Sequence, residues 1–447
     1  MKVFVDALGC PKALVDAEKL CAILENNGYK LSEVPENAEA IIINTCGFIQ
    51  KAKEENIDTI LQYASLKLKK PSLKIIVSGC LSERYGKELL KAVPEVDNAI
   101  GVRDPGKILK ALSNKREVEL LDKGEFKDFL YKERKLYFSG YSYAYLKISE
   151  GCDRSCSFCS IPAIRGKQRS RTIESILEEA DLLQRQGIKE LVLVSEDTLS
   201  YGLDIYKKRA LLDLLNELIK KDFVWIRLMY LYPDEYLYSV VEWMARKEKI
   251  CKYIDVPLQH ASDKILKAMK RSGSYSEYLK MFNYFRKVIP EISIRSSFIV
   301  GYPGETEKDF NILKDFLSEA RLNRVGFFEY SDEEGTDSFQ QKDKIPVSVA
   351  KKRIRCLAKL QADISRELLE KRVGKVTNCI YDGIIEEDRN GKIMVLRSEY
   401  DAPEIDGKVY LRIKKESEVE EDFFPVLIEK VKGFYDLEGK RITGSKL

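Results

Sequence analysis

Residues 150–160 have the sequence EGCDRSCSFCS, in which Cys152, Cys156 and Cys159 form a C-x3-C-x2-C array. Three thiolates so close together suit iron–sulfur or zinc ligation better than disulfide bonds, because the chain has no secretory features. A Cys3His zinc site would need a histidine, and the only one, His260, lies far downstream. Buried structural cysteines would not be spaced so tightly or lie among charged residues and serines. The array therefore predicts an iron–sulfur site.

The cubane form of an iron–sulfur cluster has four irons, so three cysteines leave one iron without a protein ligand. An open iron can bind a substrate or cofactor, as an open catalytic zinc does. In its spacing the array resembles the signature of the radical S-adenosylmethionine (SAM) enzymes. The resemblance implies that the open iron chelates the amino and carboxylate groups of SAM. It also implies that the reduced cluster cleaves SAM to a 5′-deoxyadenosyl radical.

The whole composition is that of a globular protein. The chain has 447 residues, which predicts about three domains, with 44% hydrophobic and 33% charged residues. No apolar run approaches the ~18 residues of a membrane helix, and the N-terminus enters a strand-like pattern without a signal-peptide core. Ten cysteines in such a chain indicate a reducing cytoplasm, and the net charge of +4 is too small to predict a nucleic-acid partner. We expect a cytoplasmic protein with metal or redox chemistry.

The N-terminal third alternates strand and helix patterns, which predicts a Rossmann-like parallel sheet covered by helices. A fourth strand is expected within residues 97–105. The first three predicted strands are 2–8, 39–44 and 73–78, and the helices are 12–27, 50–68 and 82–92.

A cysteine follows each of these three strands, namely Cys10, Cys46 and Cys80, and a glycine adjoins each of them. Parallel strands bring all three to one edge of the sheet, and glycine allows close backbone approach to a cluster. The alternative is that each is a small buried residue in a strand-end loop, as is common for a free cysteine. Three cysteines at equivalent strand ends make this alternative less favourable, so we infer a second three-cysteine cluster. Cys21, on the apolar face of a helix, is expected in the core.

The middle of the chain predicts the partial (β/α)6 barrel of radical SAM enzymes, with chemistry at the carboxyl ends of its strands. The charge-rich residues 122–137 are interpreted as a linker before it. The predicted strands are 145–149, 189–195, 224–230, 252–257, 293–300 and 324–330.

Several polar residues lie at or near these strand ends. Glu196 follows the second strand, and Gly301 and Gly304 form a turn that opens a helix, where free N–H groups favour an anion such as the SAM carboxylate. The turn also fits an ordinary capping loop. Arg295 is predicted to point into the barrel and pair with a carboxylate. His260 fits an acid–base or ligand role and a packing role equally well.

The C-terminal residues predict a small all-β barrel after a helix at 347–372. Its strands are expected at 375–381, 393–397, 408–413 and 425–431. Residues 373–447 contain 13 Lys and Arg against 16 Asp and Glu, a net charge of −3, with acidic runs at 386–388 and 418–422. An RNA-binding module is expected to be basic, so direct nucleic-acid binding is not expected. A solvated acidic face and a surface for a basic protein partner both remain open.

Over essentially its full length the sequence resembles the methylthiotransferase family. The resemblance implies an N-terminal cluster domain (1–121), the linker (122–137), a radical SAM barrel (138–372) and a C-terminal TRAM domain (373–447), with the six cysteines above as ligands of two 4Fe–4S clusters. Five segments resemble the RimO type more than the tRNA-modifying MiaB type. They are LGCPKALVDAE at 8–18, NTCGFI at 44–49, GCDRSCSFCSIPAIRGKQRSR at 151–171, YSDEEGT at 330–336 and DAPEIDG at 401–407.

The RimO type methylthiolates the β-carbon of an aspartate in ribosomal protein S12, a strongly basic protein. The resemblance implies two molecules of SAM, one as methyl donor and one as radical source, an electron donor of the flavodoxin or ferredoxin type, and a sulfur donor. Phe158 would contact the adenine, and Glu196, Arg295, Gly301 and Gly304 are the other candidate SAM contacts. Two positions depart from the family pattern: Ala13 replaces Asn after CPK, and Glu196 replaces Gln before Asp-Thr.

Two other functions remain as alternatives. A tRNA adenosine methylthiotransferase would share the clusters and the mechanism, and a basic TRAM surface would favour it. A non-catalytic iron–sulfur electron carrier or scaffold would not cleave SAM.

Overall fold

The computed structural model describes residues 1–113, 134–138, 142–388, 391–413 and 421–442. Residues 122–133 of the predicted linker and 418–420 of one acidic run lie outside the described residues. The side chains of the other acidic run, 386–388, also lie outside them. None of the helices in the described ranges is both long and apolar enough to cross a membrane.

The N-terminal part forms a five-stranded parallel sheet with strand order β2-β1-β3-β4-β5. The alternating pattern predicted the parallel sheet and four of its strands, whereas the two-residue strand β2 was not predicted. One buried apolar cluster packs α1 and α4 on one face of the sheet, and a second packs α2 and α3 on the other. The elements are β1 (Lys2–Ala7), α1 (Pro11–Asn26), β2 (Lys30–Leu31), β3 (Ala40–Thr45), α2 (Gln50–Ser65), β4 (Lys74–Gly79), α3 (Cys80–Ala92), β5 (Asn98–Ile100) and α4 (Lys107–Ser113).

The middle part is an open six-stranded parallel sheet, the predicted partial barrel, with strand order β13-β12-β11-β10-β9-β6. A short antiparallel pair, β7 with β8, closes the base of the cysteine loop. The elements are β6 (Tyr143–Lys147), β7 (Ser149–Glu150), α5 (Ile161–Arg165), β8 (Arg169–Ser170), α6 (Ile173–Arg185), β9 (Glu190–Val194), α7 (Leu211–Leu218), β10 (Trp225–Leu228), α8 (Tyr236–Met244), β11 (Ile250–Asp255), α9 (Asp263–Ala268), α10 (Tyr275–Val288), β12 (Ser293–Val300), α11 (Glu307–Ala320) and β13 (Arg324–Glu329).

The C-terminal part is a closed five-stranded β-barrel with strand order β14-β15-β16-β18-β17. The sequence predicted four of its strands and missed the last, which is rich in charged residues and glycine. The barrel follows α12 (Val347–Glu370) and consists of β14 (Val376–Asp388), β15 (Gly391–Ser398), β16 (Val409–Ile413), β17 (Phe423–Lys432) and β18 (Asp436–Arg441).

The three parts share one buried apolar cluster. Side chains alternate between the two faces of a strand, so each barrel strand packs one set against the outer helices and the other into the concave face. On that face Val192, Val194 and Trp225 pack against Val15 of α1 and Ile380 of β14. Each such buried side chain stabilises the fold by roughly 1.5–3 kcal/mol. Residues from both neighbouring parts thus pack against the concave face of the middle sheet.

Candidate metal centres

The N-terminal cysteine set is Cys10, Cys46 and Cys80, which follow β1, β3 and β4, three strands that lie side by side. The backbone segments that carry these three cysteines lie in close contact. A Cβ atom added at Gly47 would lie 2.7 Å from the Cα of Leu81. Gly79 has φ +99°, and a Cβ there would lie 2.4 Å from the carbonyl oxygen of Thr45. These two glycines are therefore required for the close approach of the cysteine segments.

The thiols of this set are largely withdrawn from water. Burial raises the pKa of Cys46, and it raises the pKa of Cys80 to about 12 although the guanidinium of Arg165 opposes the shift. Such thiols stay protonated at neutral pH unless a metal deprotonates them. Arg165 Nη2 donates to Cys80 Sγ at 3.3 Å. The environment provides a cation beside the position where a thiolate ligand would develop its charge.

The loop cysteine set is Cys152, Cys156 and Cys159. The backbone N–H of Arg154 donates to Cys152 Sγ at 3.4 Å, and Arg271 Nη1 lies 3.7 Å from Cys156 Sγ. Burial raises the pKa of Cys152 to about 11 and that of Cys159 to about 12. Hydrogen bonds to ligand sulfur are one of the means by which proteins tune the potential of an iron–sulfur cluster.

The donor chemistry of both sets fits an anionic iron–sulfur cluster. Cys46 and Cys80 are buried, and Cys10 and the three loop cysteines are partly buried. A backbone N–H and guanidinium groups approach their sulfur atoms, as an anionic cluster with thiolate ligands requires. Within the ranges that the structure describes, no group of three Cys, His, Asp or Glu side chains is placed to hold a single metal ion.

Arg165 connects the two sets at the junction between the N-terminal sheet and the barrel. It is the last residue of α5, which follows the loop cysteines, and it bonds to Cys80. Its Nη1 also donates to Asp16 Oδ2 at 3.1 Å and to Glu150 Oε1 at 2.5 Å. Burial alone would lower its pKa, but Cys80 in its ionised form and the carboxylates of Glu150 and Asp16 raise it well above the usual value. The guanidinium therefore remains charged between the two cysteine sets.

Lys12 and Glu196 complete this junction. Lys12 Nζ donates to the carbonyl oxygen of Ser195 at 3.2 Å, and it lies 3.9 Å from Glu196 Oε1. Burial would lower the pKa of Lys12, but Glu196 together with Tyr230 and Cys10 outweighs it and the pKa is raised. Glu196 Oε1 is also 3.8 Å from Arg165, yet neither carboxylate oxygen has a hydrogen-bond partner among the described residues. A buried carboxylate with free acceptors is positioned to receive a donor from a ligand.

The other candidate SAM contacts are more dispersed. Phe158 packs in a small apolar cluster with Met269 and Tyr302. The N–H of Gly301 donates to Glu305 Oε2 at 2.6 Å, and that of Gly304 donates to a loop carbonyl. The helix that follows has a capping box, in which Thr306 and Asp309 satisfy each other's backbone N–H groups. These particular N–H groups therefore already have protein partners, and the SAM contact predicted at this turn stays a prediction.

Arg295 pairs with a carboxylate, as the sequence predicted, but the partner lies in the C-terminal barrel. Its Nη1 donates at 2.7 Å to Asp406 Oδ1 in DAPEIDG, the motif of the C-terminal barrel. Asp401 of the same motif accepts from Arg324, and Glu404 accepts from the hydroxyls of two barrel tyrosines. The acidic groups of this motif therefore bond within the chain. The SAM role of Arg295 itself stays a prediction.

Sequence reasoning missed the cations around the cysteines. Lys12 and Arg165 lie inside quoted motifs, two residues after Cys10 and six after Cys159, so their closeness to cysteine in the sequence was an available signal. Arg271, which approaches Cys156 from the residues after α9, offered no local signal. His260 is fully buried, and its Nδ1 accepts from the backbone N–H of Ser262, which favours the packing role.

Comparison with known families agrees with this architecture. The model described as the radical SAM superfamily matches residues 146–317, the one described as uncharacterized protein family UPF0004 matches 2–101, and the TRAM domain model matches 373–442. Among solved structures, the radical S-adenosylmethionine methyltransferase TsrM from Kitasatospora setae is similar in fold. Its TM-score is 0.56 at 13% identity, over 73% of this chain and 72% of that one. The fold and the cysteine loop define a radical SAM enzyme.

Curated relatives specify the family. The ribosomal protein uS12 methylthiotransferase RimO of Thermotoga petrophila is 43% identical over 99% of this chain and 100% of that protein. The protein of the same name from Flavobacterium psychrophilum is 44% identical over 93% of this chain and 92% of its own length. The chain belongs to the RimO family of methylthiotransferases, enzymes that transfer a methylthio group, as the sequence motifs predicted.

Proposed function

We propose that this protein transfers a methylthio group to the β-carbon of an aspartate in ribosomal protein uS12, with two 4Fe–4S clusters and two molecules of SAM. The observation that carries the proposal is the position of Arg165. It follows one cysteine set in the chain and bonds to the other, so both sets belong to a single junction. The names of the relatives, which specify uS12, support the substrate.

In this proposal Cys10, Cys46 and Cys80 hold one cluster, and the loop cysteine set holds the other. When bound, the clusters and SAM supply the sulfur, the methyl group and the radical chemistry that an unactivated C–H bond requires, which no side-chain base can provide. Arg165 keeps positive charge between the two sets, where the thiolates concentrate negative charge.

The rest of the chain orients and shields this junction. The guanidinium groups of Arg154 and Arg271 lie over the ring of Tyr232, at 3.7 and 4.2 Å from its centroid, and both residues also approach sulfur atoms of the loop cysteine set. Leu14 and Val15 of α1 close over the concave face of the barrel. An apolar cover excludes water, which would otherwise quench a reactive intermediate.

The proposal also assigns domains and external partners. Residues 1–121 would form the first cluster domain, 138–372 the radical SAM barrel and 373–447 the TRAM domain, with 122–137 as linker. An electron donor of the flavodoxin or ferredoxin type would reduce the loop-set cluster, and a sulfur donor would restore the sulfur consumed in each turnover.

Mass analysis of the products tests the proposal. The anaerobically reconstituted, reduced enzyme is incubated with SAM and sulfide, and it is offered both ribosomal protein uS12 and bulk tRNA. We expect a methylthio addition on an aspartate of the protein and none on the tRNA. Methylthio-adenosine in the tRNA would instead retain the clusters and refute the substrate, and reduced enzyme that fails to cleave SAM would refute the radical reaction itself.

A further inference from the structure

The loop after β13 holds the N-terminal sheet against the barrel through one buried carboxylate. Glu333 is 2% exposed, and its Oε2 accepts from Arg84 Nη1 at 2.5 Å and from Lys53 Nζ at 3.0 Å. Two residues earlier, Ser331 Oγ accepts from the backbone N–H of Gln50 at 2.8 Å. We call Glu333 with Lys53 and Arg84 the Glu333 clamp. It lies within YSDEEGT, a motif to which no chemistry has been assigned above.

The clamp reaches the N-terminal cysteine set directly. Arg84 lies on α3, the helix that begins at Cys80, and its Nη1 also donates to the carbonyl oxygen of Gly47 at 2.8 Å. Gly47 directly follows Cys46 in the chain. A single guanidinium therefore ties the segments of two of these cysteines together, and Glu333 of the barrel fixes that guanidinium.

Burial makes the clamp specific for one arrangement of the two parts. A carboxylate withdrawn from water is costly unless cations and hydrogen-bond donors surround it. Both cations of the clamp come from the N-terminal part, one on α2 and one on α3, whereas the carboxylate comes from the barrel. Displacement of the N-terminal part separates Glu333 from both of its cations and leaves it only the hydroxyl of Ser331, so the clamp favours one position of the first cysteine set.

We propose that Glu333 is a positioning residue, which holds the N-terminal cysteine set where methylthio transfer from it to the substrate is possible. This inference rests on the proposed function. Cleavage of SAM requires only the loop cysteine set, whereas methylthio transfer requires both sets in the correct relative position. Glu333 therefore governs how efficiently SAM cleavage is coupled to transfer.

The test is Glu333→Gln in the full-length, reconstituted enzyme, with 5′-deoxyadenosine and methylthiolated uS12 measured in the same reaction. Glutamine keeps the shape of the side chain and removes its charge. We expect 5′-deoxyadenosine formation within about twofold of wild type and about tenfold less transfer per SAM cleaved, because small misplacements of reacting groups cost this much or more. Arg84→Lys keeps the positive charge but loses the guanidinium that bonds to both Glu333 and Gly47. This variant should also lower the amount of transfer per SAM cleaved.

Glu334→Gln is the matched control. Glu334 is the adjacent residue of the same motif, its side chain is exposed, and it makes no ion pair with a described residue. We expect this variant to form methylthiolated uS12 and 5′-deoxyadenosine in the same ratio as wild type. An unchanged ratio in Glu333→Gln would overturn the proposal, and so would a parallel fall of both products, since that result indicates general destabilisation.

Hydrogen exchange of the reconstituted protein separates this inference from the proposed function. Residues 46–53 should exchange faster in Glu333→Gln than in wild type or Glu334→Gln, because the bond from the Gln50 N–H to Ser331 is loosened. If wild-type enzyme modifies no ribosomal protein, the proposed function fails, and the exchange result still decides whether Glu333 holds the cysteine segment. If hydrogen exchange of residues 46–53 is the same in Glu333→Gln as in wild type, Glu333 does not hold this segment and the proposal is wrong.

Discussion

The Nη2 of Arg165 donates to the Sγ of Cys80 at 3.3 Å, although 85 residues separate them in the chain. This bond joins the segment after the loop cysteines to the helix that begins with an N-terminal cysteine. Because the same guanidinium pairs with Asp16 and Glu150, it carries positive charge into a junction rich in thiols and carboxylates. The predictions below follow from this junction and from the contacts that hold the C-terminal barrel.

Replacing Arg165 with Gln should impair the N-terminal cluster more than the loop cluster. Loss of a positive charge beside Cys80 disfavours the more negative, reduced state, so the potential of the N-terminal cluster should become more negative. Methylthio transfer should fall about tenfold or more because the junction is also loosened. Redox titration followed by electron paramagnetic resonance measures the potential. Lys167→Gln, an exposed cation of the same loop, is the control, and an equal shift in both variants would contradict the prediction.

Replacing Cys80 should prevent assembly of the N-terminal cluster and leave the loop cluster intact. We expect Cys80→Ala to bind about half of the wild-type iron after reconstitution, because a cubane held by three cysteines does not survive the loss of one. Iron analysis and the optical spectrum provide the measurement. Cys356→Ala, at an exposed helix position, should bind the wild-type amount. Full iron content in Cys80→Ala would remove this residue from the ligand set.

The contact between the barrel and the C-terminal part should weaken in acid through Glu190. Its carboxylate accepts from Arg227 at 2.7 Å and from Arg397 of the C-terminal barrel at 2.5 Å. Burial alone would raise the pKa of Glu190, but these two guanidinium groups outweigh it and the pKa lies below the usual 4.5. A lowered carboxyl pKa means that the stabilisation is complete above 4.5 and is lost as the pH falls below that value toward the folded-state pKa.

Glu190→Gln should therefore lower the free energy of unfolding at neutral pH and flatten its acid dependence. Removing one partner of a buried ion pair costs roughly 3–5 kcal/mol, because the remaining charges are left without compensation. Thermal or denaturant unfolding between pH 3 and 7 measures both effects. Glu429→Gln removes an exposed pair with Lys440 and should change stability by less than about 1 kcal/mol. If the free energy of unfolding of Glu190→Gln falls in acid as steeply as that of wild type, the acid dependence does not come from Glu190.

Arg295 and Asp406 should be energetically coupled. Their side chains meet at 2.7 Å between β12 and the C-terminal barrel, with Asp406 fully buried. A double-mutant cycle with Arg295→Met and Asp406→Asn should give a coupling free energy of roughly 0.5–3 kcal/mol in unfolding experiments. Additive effects of the two substitutions would show that the pair does not hold the two parts together. Binding of SAM to Arg295→Met then tests the predicted cofactor role independently.

Local sequence patterns determined most of the secondary structure and both cysteine sets. The alternating pattern predicted the parallel sheet, and because parallel strands share their carboxyl edge, it also predicted that Cys10, Cys46 and Cys80 converge. The last strand of the C-terminal barrel, β18, was missed because its sequence, DLEGKR, lacks the apolar alternation of a strand. It is stabilised by pairing with β17, the strand before it, and with β16, and the sequence of β18 itself indicates neither pairing.

What only the tertiary structure decided is which charges meet. The sequence presents Arg165, Glu333 and Asp406 as polar residues in separate motifs, and nothing in their local patterns indicates a partner. Each becomes buried against another part of the chain, where a charge is tolerated only beside its counter-charge. Residue type and spacing therefore determine the elements and predict the ligand chemistry, whereas long-range burial decides which side chains hold the cysteine sets and the three parts together.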